Sequence, residues 1–287
     1  MSLVSSSAQP ARPDQARLAE LRGAIRALQA PAAGRAPAKT VPTGAAAIDA
    51  CLPWGGLPLG ALHEVSGDVA ATGFCAALLT RIAHTHPRAP ILWCQRGGDL
   101  YGHGLGAFGL APGRLIVFRG RNDEEILWAM EEGLRGTGLA AVLGQVGKLS
   151  PIAARRLHLA AENAGTTGLL LRPARPHAPA SAALTRWRVE CAPSALDGAI
   201  LGRAQWRVGL RRCRPGAALA RGATLARGAT LVRGATLARA GGFMSPRSWL
   251  VEWCDETGDL SVLAELGDRP AEPAPSAEPT PARQAAS

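Results

Sequence analysis

Residues 43–79 read TGAAAIDACLPWGGLPLGALHEVSGDVAATGFCAALL, which parses as a helical turn, a glycine-rich loop, a short strand and a second helix. The strand is His63-Glu64-Val65, and the helix runs from Ala76, with residues 67–74 between them. Strand, glycine, loop and helix in that order is the layout of a phosphate cradle, written GxxxxGK[ST]. Counted from Gly67, Thr72 stands at the second glycine, Gly73 at the lysine and Phe74 at the hydroxyl. The lysine of such a loop neutralises the outer phosphates, and the hydroxyl holds Mg²⁺. Neither glycine nor phenylalanine can substitute. The sequence predicts a loop with the length and place of a nucleotide cradle but not its chemistry.

Strands and helices alternate after this point. Ile91-Leu92-Trp93-Cys94, Leu115–Phe118, Leu139–Gly144 and Gly168–Leu171 are short apolar runs suited to buried parallel strands. Asn122 opens one helix with acids in its first turn. Ser150 caps another, with Pro151 at its first position and Gly165 beyond its end. The alternation predicts an α/β fold, a mostly parallel sheet with helices on both faces. From Arg172 the pattern changes. A Pro-rich basic loop leads into TRWRVE, QWRVGLRR and SWLVEW, then residues 259–263. Their period of two predicts an antiparallel β extension. Trp187, Trp206, Trp249 and Trp253 fit its core, with base stacking as the competing use.

Charge and cysteines narrow the function classes. The net charge is +10, and Lys39 and Lys148 are the two lysines. Residues 198–251 hold ten arginines and no acid, so the positive field is regional. Such a field attracts nucleic acid or an acidic partner. The six cysteines form no CxxC pair, which argues against zinc and for reduced thiols. No run reaches the ~18 apolar residues of a membrane span, and no signal peptide is visible at the start.

Four segments follow. Residues 1–42 hold a disordered start, a helix over 14–30 with Leu18, Leu21, Ile25 and Leu28 on one stripe, and an Ala/Pro linker. Residues 43–171 form the core, and 172–267 the basic loop and β extension. Residues 268–287 form a Pro/Ala/Glu-rich tail. Within the extension, an insertion at 215–246 repeats RGATLA, placing Arg221, Arg227 and Arg233 six residues apart. It reads as a flexible hairpin. Arg155, Arg156, Arg172, Arg175, Arg207, Arg211, Arg212 and Arg214 join these three as candidate DNA or partner contacts.

Thr43-Gly44, Ile48-Asp49, Gly55-Gly56-Leu57-Pro58, Gly60 and Glu64, in this order, resemble the start of the RecA/RadA ATPase core. With the altered phosphate loop, RRLHLAAE (155–162), LLLRP (169–173) and the RWRV…SWLVEW tail, residues 14–266 look like the ImuA family. These are RecA-like accessory proteins of bacterial damage-induced mutagenesis. The resemblance implies a RecA-like, mostly parallel sheet flanked by helices. Active RecA-like enzymes keep a glutamate just past the second core strand and an acid at the end of the strand before Gln145. Here those places hold Gln95 or Gly97, and Leu143, Gly144 and Gln145. The expectation is therefore a protein without catalysis, cofactor or metal. The implied partners are an ImuB-like inactive Y-family polymerase homologue and, through it, an error-prone replicative-type polymerase. DNA and self-association complete the list, in a bacterial cytoplasm at the nucleoid. Two rival readings remain. One is a DNA-dependent ATPase in which Gly67 and Gly73 still offer backbone N–H groups, an arginine replaces the lysine, and Lys148 or a neighbouring subunit supplies charge. The other is a regulator resembling RecA-fold inhibitors of cell division.

Overall fold

The computed structural model describes residues 39–97, 100–175, 181–194, 202–214 and 247–266. The expected N-terminal helix, the hexapeptide insertion with Arg221, Arg227 and Arg233, and the tail lie outside them.

A two-residue strand β1 (Thr40–Val41) pairs with β2 (Leu57–Pro58) around a single helical turn, α1 (Ala46–Asp49). One sheet then takes every other strand: β3 (Leu62–Gly67), β4 (Ile91–Arg96), β5 (Leu115–Gly120), β6 (Ala141–Gln145), β7 (Thr167–Pro173), β8 (Thr185–Ala192), β9 (Gln205–Cys213), β10 (Arg247–Cys254) and β11 (Asp259–Leu266). Their order is β11-β10-β9-β8-β3-β7-β6-β4-β5. The six strands from β8 to β5 are parallel, and β9, β10 and β11 extend the sheet antiparallel. The first of the three tryptophan-bearing runs, β8, thus belongs to the parallel core on one edge and starts the extension on the other. The boundary expected between residues 171 and 172 falls inside β7.

Helix α2 (Val69–Thr85) covers one face, together with a 3₁₀ segment at Gly102–Phe108. Helices α3 (Asp123–Arg135) and α4 (Pro151–Ala164) cover the parallel strands on the other. The caps are those the sequence announces. Asn122 accepts from Glu125 N, and Ser150 from Ala153 N, while Gly165 ends α4 at φ +74°. No described helix is long and apolar enough to cross a membrane.

The tryptophans settle as core. Trp187, Trp206, Trp249 and Trp253 are at most 4% exposed and share one apolar cluster with Phe74 and the rest of α2. Phe74 meets Trp187 at 5.8 Å between ring centroids, and Trp206 stacks on Trp253 at 6.2 Å. A buried polar chain ties β2, β3 and β8 beside them. Trp187 Nε1 donates to Thr185 Oγ1 at 2.8 Å, and Thr185 Oγ1 lies 2.8 Å from His63 Nδ1. His63 Nε2 lies 2.9 Å from the Pro58 carbonyl. That carbonyl only accepts, so Nε2 carries the proton and Nδ1 accepts from the threonine hydroxyl. His63 is fully buried and neutral. Burial pushes its pKa down to about 4, against the raising effect of the Pro58 carbonyl.

This has a pH consequence. The unfolded chain takes up the His63 proton first, near its ordinary value, and the folded chain only near 4. Stability present above the unfolded value is lost as pH falls through that window, by up to roughly 3 kcal/mol. Urea midpoints measured across it are expected to fall for the wild type and to fall less for His63→Gln. Equal slopes would contradict the assignment.

Candidate functional site

The structure corrects the reading of residues 67–74 as a loop. β3 ends at Gly67 and α2 begins at Val69, with Asp68 as the single residue between them. Thr72, Gly73 and Phe74 lie inside the helix, so there is no cradle. Gly73 is the fifth helical residue, where its N–H belongs to the helical ladder. This removes one of the two backbone donors that an atypical ATPase site would need. A Cβ on Gly73 would come 2.9 Å from the Trp206 ring, and Phe74 is fully buried. Both positions serve packing.

The N-terminus of α2 carries a carboxylate. Asp68 Oδ1 accepts from Ala70 N at 2.9 Å. The same side chain accepts from Cys191 N, at 3.2 Å and 2.9 Å from its two oxygens. The free N–H groups and the dipole of a helix N-terminus favour an anion. Here the protein supplies that anion itself and uses it to pin the end of β8. The close approach needs Gly67, because a Cβ there would sit 1.7 Å from the Val189 carbonyl oxygen.

At the two other places where ATPase chemistry needs an acid, Gln95, Leu143 and Gly144 are buried and Gln145 is exposed. Gln95 is 1% exposed, and its Nε2 donates to Gly97 O at 3.3 Å. Gly144 lies beneath Met130, whose Sδ would be 1.9 Å from a Cβ at that position. Asp123, in the first turn of α3, accepts from Lys148 N at 2.7 Å and Gly147 N at 3.3 Å. Among the described residues, no group of three metal-ligating side chains comes together.

The signature residues before β3 have structural work. Asp49 accepts from Thr43 N at 2.8 Å. Gly44 has φ +100° and lies against the Arg81 guanidinium, which reaches Gly258 O and Asp259 at 2.5 and 2.6 Å. Arg81 thereby ties residue 44, α2 and the β10–β11 hairpin together.

The candidate arginines divide. Arg172 is 5% exposed and shares Glu64 with Arg186, at 3.4 and 3.1 Å. It is an internal charge, not the surface contact expected of it. Arg156 reaches Glu131 at 2.6 Å across the α3–α4 contact. Arg175 is exposed beside Gly147. Arg211 is exposed at a β-bulge, where the pairing passes from Arg186↔Arg212 to Trp187↔Leu210. Arg155, Arg207, Arg212 and Arg214 lie on or beside the side of the β extension opposite the tryptophans. Sequence reasoning missed Arg186 and Arg188, although the RWRV alternation that buries Trp187 turns both outward.

Replacing Asp68 by Ala leaves Ala70 N and Cys191 N without their acceptor. The expected loss is about 1–2 kcal/mol of unfolding free energy, most of it recovered in Asp68→Asn. Chemical denaturation of the three proteins checks this, and an unchanged midpoint for Asp68→Ala would refute it.

The chain is 35% identical over 201 residues to Protein ImuA of Caulobacter vibrioides strain NA1000 / CB15N, covering 63% of this chain and 82% of that relative. Protein ImuA of a second strain of that species gives the same figures. Among solved structures, the chain is similar to a KaiC-like protein of Pyrococcus horikoshii OT3. That likeness has 14% identity and a TM-score of 0.49, over 79% of this chain and 100% of the other. No family model matches. The chain belongs to the ImuA family, accessory proteins of bacterial damage-induced mutagenesis.

Proposed function

We propose that this protein works in damage-induced mutagenesis by binding, without hydrolysing nucleotide. It serves as a RecA-like scaffold for an ImuB-like inactive Y-family polymerase homologue. Through that partner it brings an error-prone replicative-type polymerase to damaged DNA, in the bacterial cytoplasm at the nucleoid. One observation carries the reading: the Asp68 carboxylate occupies the helix N-terminus that a phosphate group would need. A second anion there would meet like charge and find its donors taken. Gln95 at one place, and Leu143, Gly144 and Gln145 at the other, support it, because none of them is a carboxylate that could activate water or hold Mg²⁺. The regional run of arginines supports DNA as a second partner.

The test is complementation in a bacterium that carries the polymerase pair but lacks its own ImuA. The full chain is expected to restore mutation induced by DNA damage and to co-purify with the inactive polymerase homologue. Restoration without co-purification would overturn the scaffold role. No restoration, from a chain shown to be folded and expressed, would overturn the pathway.

A further inference from the structure

Helices α3 and α4 pack side by side on the sheet, and their outward sides carry apolar groups. Trp128 of α3 is 60% exposed and Ile152 of α4 is 75% exposed. Between the helices runs a cleft of about 490 Å³, lined by Glu131 and Arg135 of α3 and by Arg156, Leu159, Ala160 and Asn163 of α4. Trp128 precedes Glu131 by three residues, and Ile152 precedes Arg156 by four and Leu159 by seven. Residues so spaced share a helix face. The two exposed side chains therefore prolong the walls of the cleft towards the helix N-termini. Its charges are matched within it. Glu131 takes both Arg135 and Arg156, and Glu132 takes Arg135 again. What stays uncovered is the aliphatic stems of the arginines and the apolar walls, which suit an apolar occupant and not an ion.

The described chain begins beside this cleft. Lys39 O accepts from Leu59 N at 3.0 Å. The following residue, Gly60, donates to Thr167 Oγ1 at 3.0 Å, and a Cβ on it would come 3.1 Å from Gly165 Cα. Gly165 is the cap that ends α4, two residues beyond Asn163 in the cleft wall. The segment before Lys39 is thus tethered at the C-terminal end of α4.

That segment carries the complement. Leu18, Leu21, Ile25 and Leu28 fall on one stripe of residues 14–30, which Asp14 opens as a helix cap. A helix of this length with a glycine inside, Gly23, is marginal alone in water and draws its stability from packing its apolar stripe. Along a helix Leu18 to Leu28 spans about 15 Å, and Ile152 to Asn163 about 16 Å. Residues 31–38 reach up to about 26 Å when extended.

We propose that residues 14–30 form a helix docked along the α3–α4 cleft of their own chain. It runs in the same direction as both helices, with Leu28 towards Asn163 and Leu18 between Trp128 and Ile152. The short tether holds the stripe at the mouth of the cleft, which favours this chain's own segment over a second copy. Other exposed apolar side chains lie away from the tether at the two edges of the sheet, Ile116 and Val117 on β5 and Leu263 on β11. In the free protein the cleft is then filled by the chain itself and is not the face offered to a partner.

The test is hydrogen exchange of the full chain, read by mass spectrometry at two protein concentrations tenfold or more apart. Amides of residues 18–28 are expected to exchange at least tenfold more slowly than those of an unstructured chain, equally at both concentrations. Ile152→Asp and Trp128→Asp change exposed side chains, so the sheet is expected to keep its protection in each. Both are expected to speed exchange of residues 18–28 at least tenfold, and Leu263→Asp, at the far sheet edge, to leave it unchanged. Fast exchange of residues 18–28 in the wild type would overturn the docking and leave the cleft to a partner. Slow exchange that neither cleft variant alters would place the segment elsewhere and overturn the seat. Slow exchange found only at the higher concentration would overturn docking within one chain and assign the cleft to a second copy.

Discussion

The carboxylate of Asp68 fixes how strand β3 passes into helix α2, and much of the molecule depends on that passage. A helix N-terminus presents donors that need an acceptor. An ATPase of this architecture leaves them for phosphate, at the end of a loop long enough to surround it. Here one residue turns the chain, and its side chain accepts from Ala70 N and from Cys191 N of β8. The helix therefore starts early, which brings Gly73 and Phe74 down onto the sheet. Gly73 meets Trp206 and Phe74 meets Trp187. The early start of the helix and the packing of the tryptophan-rich core of the β extension depend on the same junction.

The same economy explains why the segment before β3 keeps the look of an enzyme. Thr43, Gly44 and Asp49 close a turn against Arg81, and His63 joins β2, β3 and β8 through a buried, neutral hydrogen-bond chain. None of these roles involves a nucleotide. The arginines separate in a comparable way. Arg81 and Arg172 hold the interior together, whereas Arg207 and Arg211 are exposed on the β extension.

Much of the architecture was legible because its signals are local. Ser150-Pro151 with Gly165 framed α4, Asn122 opened α3, and alternation in TRWRVE assigned Trp187 to the core. The junction was misread because Gly67 and Gly73 sit at the spacing of loop glycines. Yet each is a glycine for steric reasons, one beneath the Val189 carbonyl and the other beneath Trp206. Those neighbours are more than a hundred residues away in sequence, and no local pattern announces them. Distance also hid the buried fate of Arg172 and the part played by Arg186. Both depend on Glu64, 108 and 122 residues away.

The central claim is that the helix end is already occupied, and equilibrium titration of the full chain with Mg²⁺ and labelled ATP tests it most directly, with and without single-stranded DNA. The account predicts no saturable binding up to millimolar nucleotide under either condition. Saturable binding with turnover stimulated by DNA would contradict it.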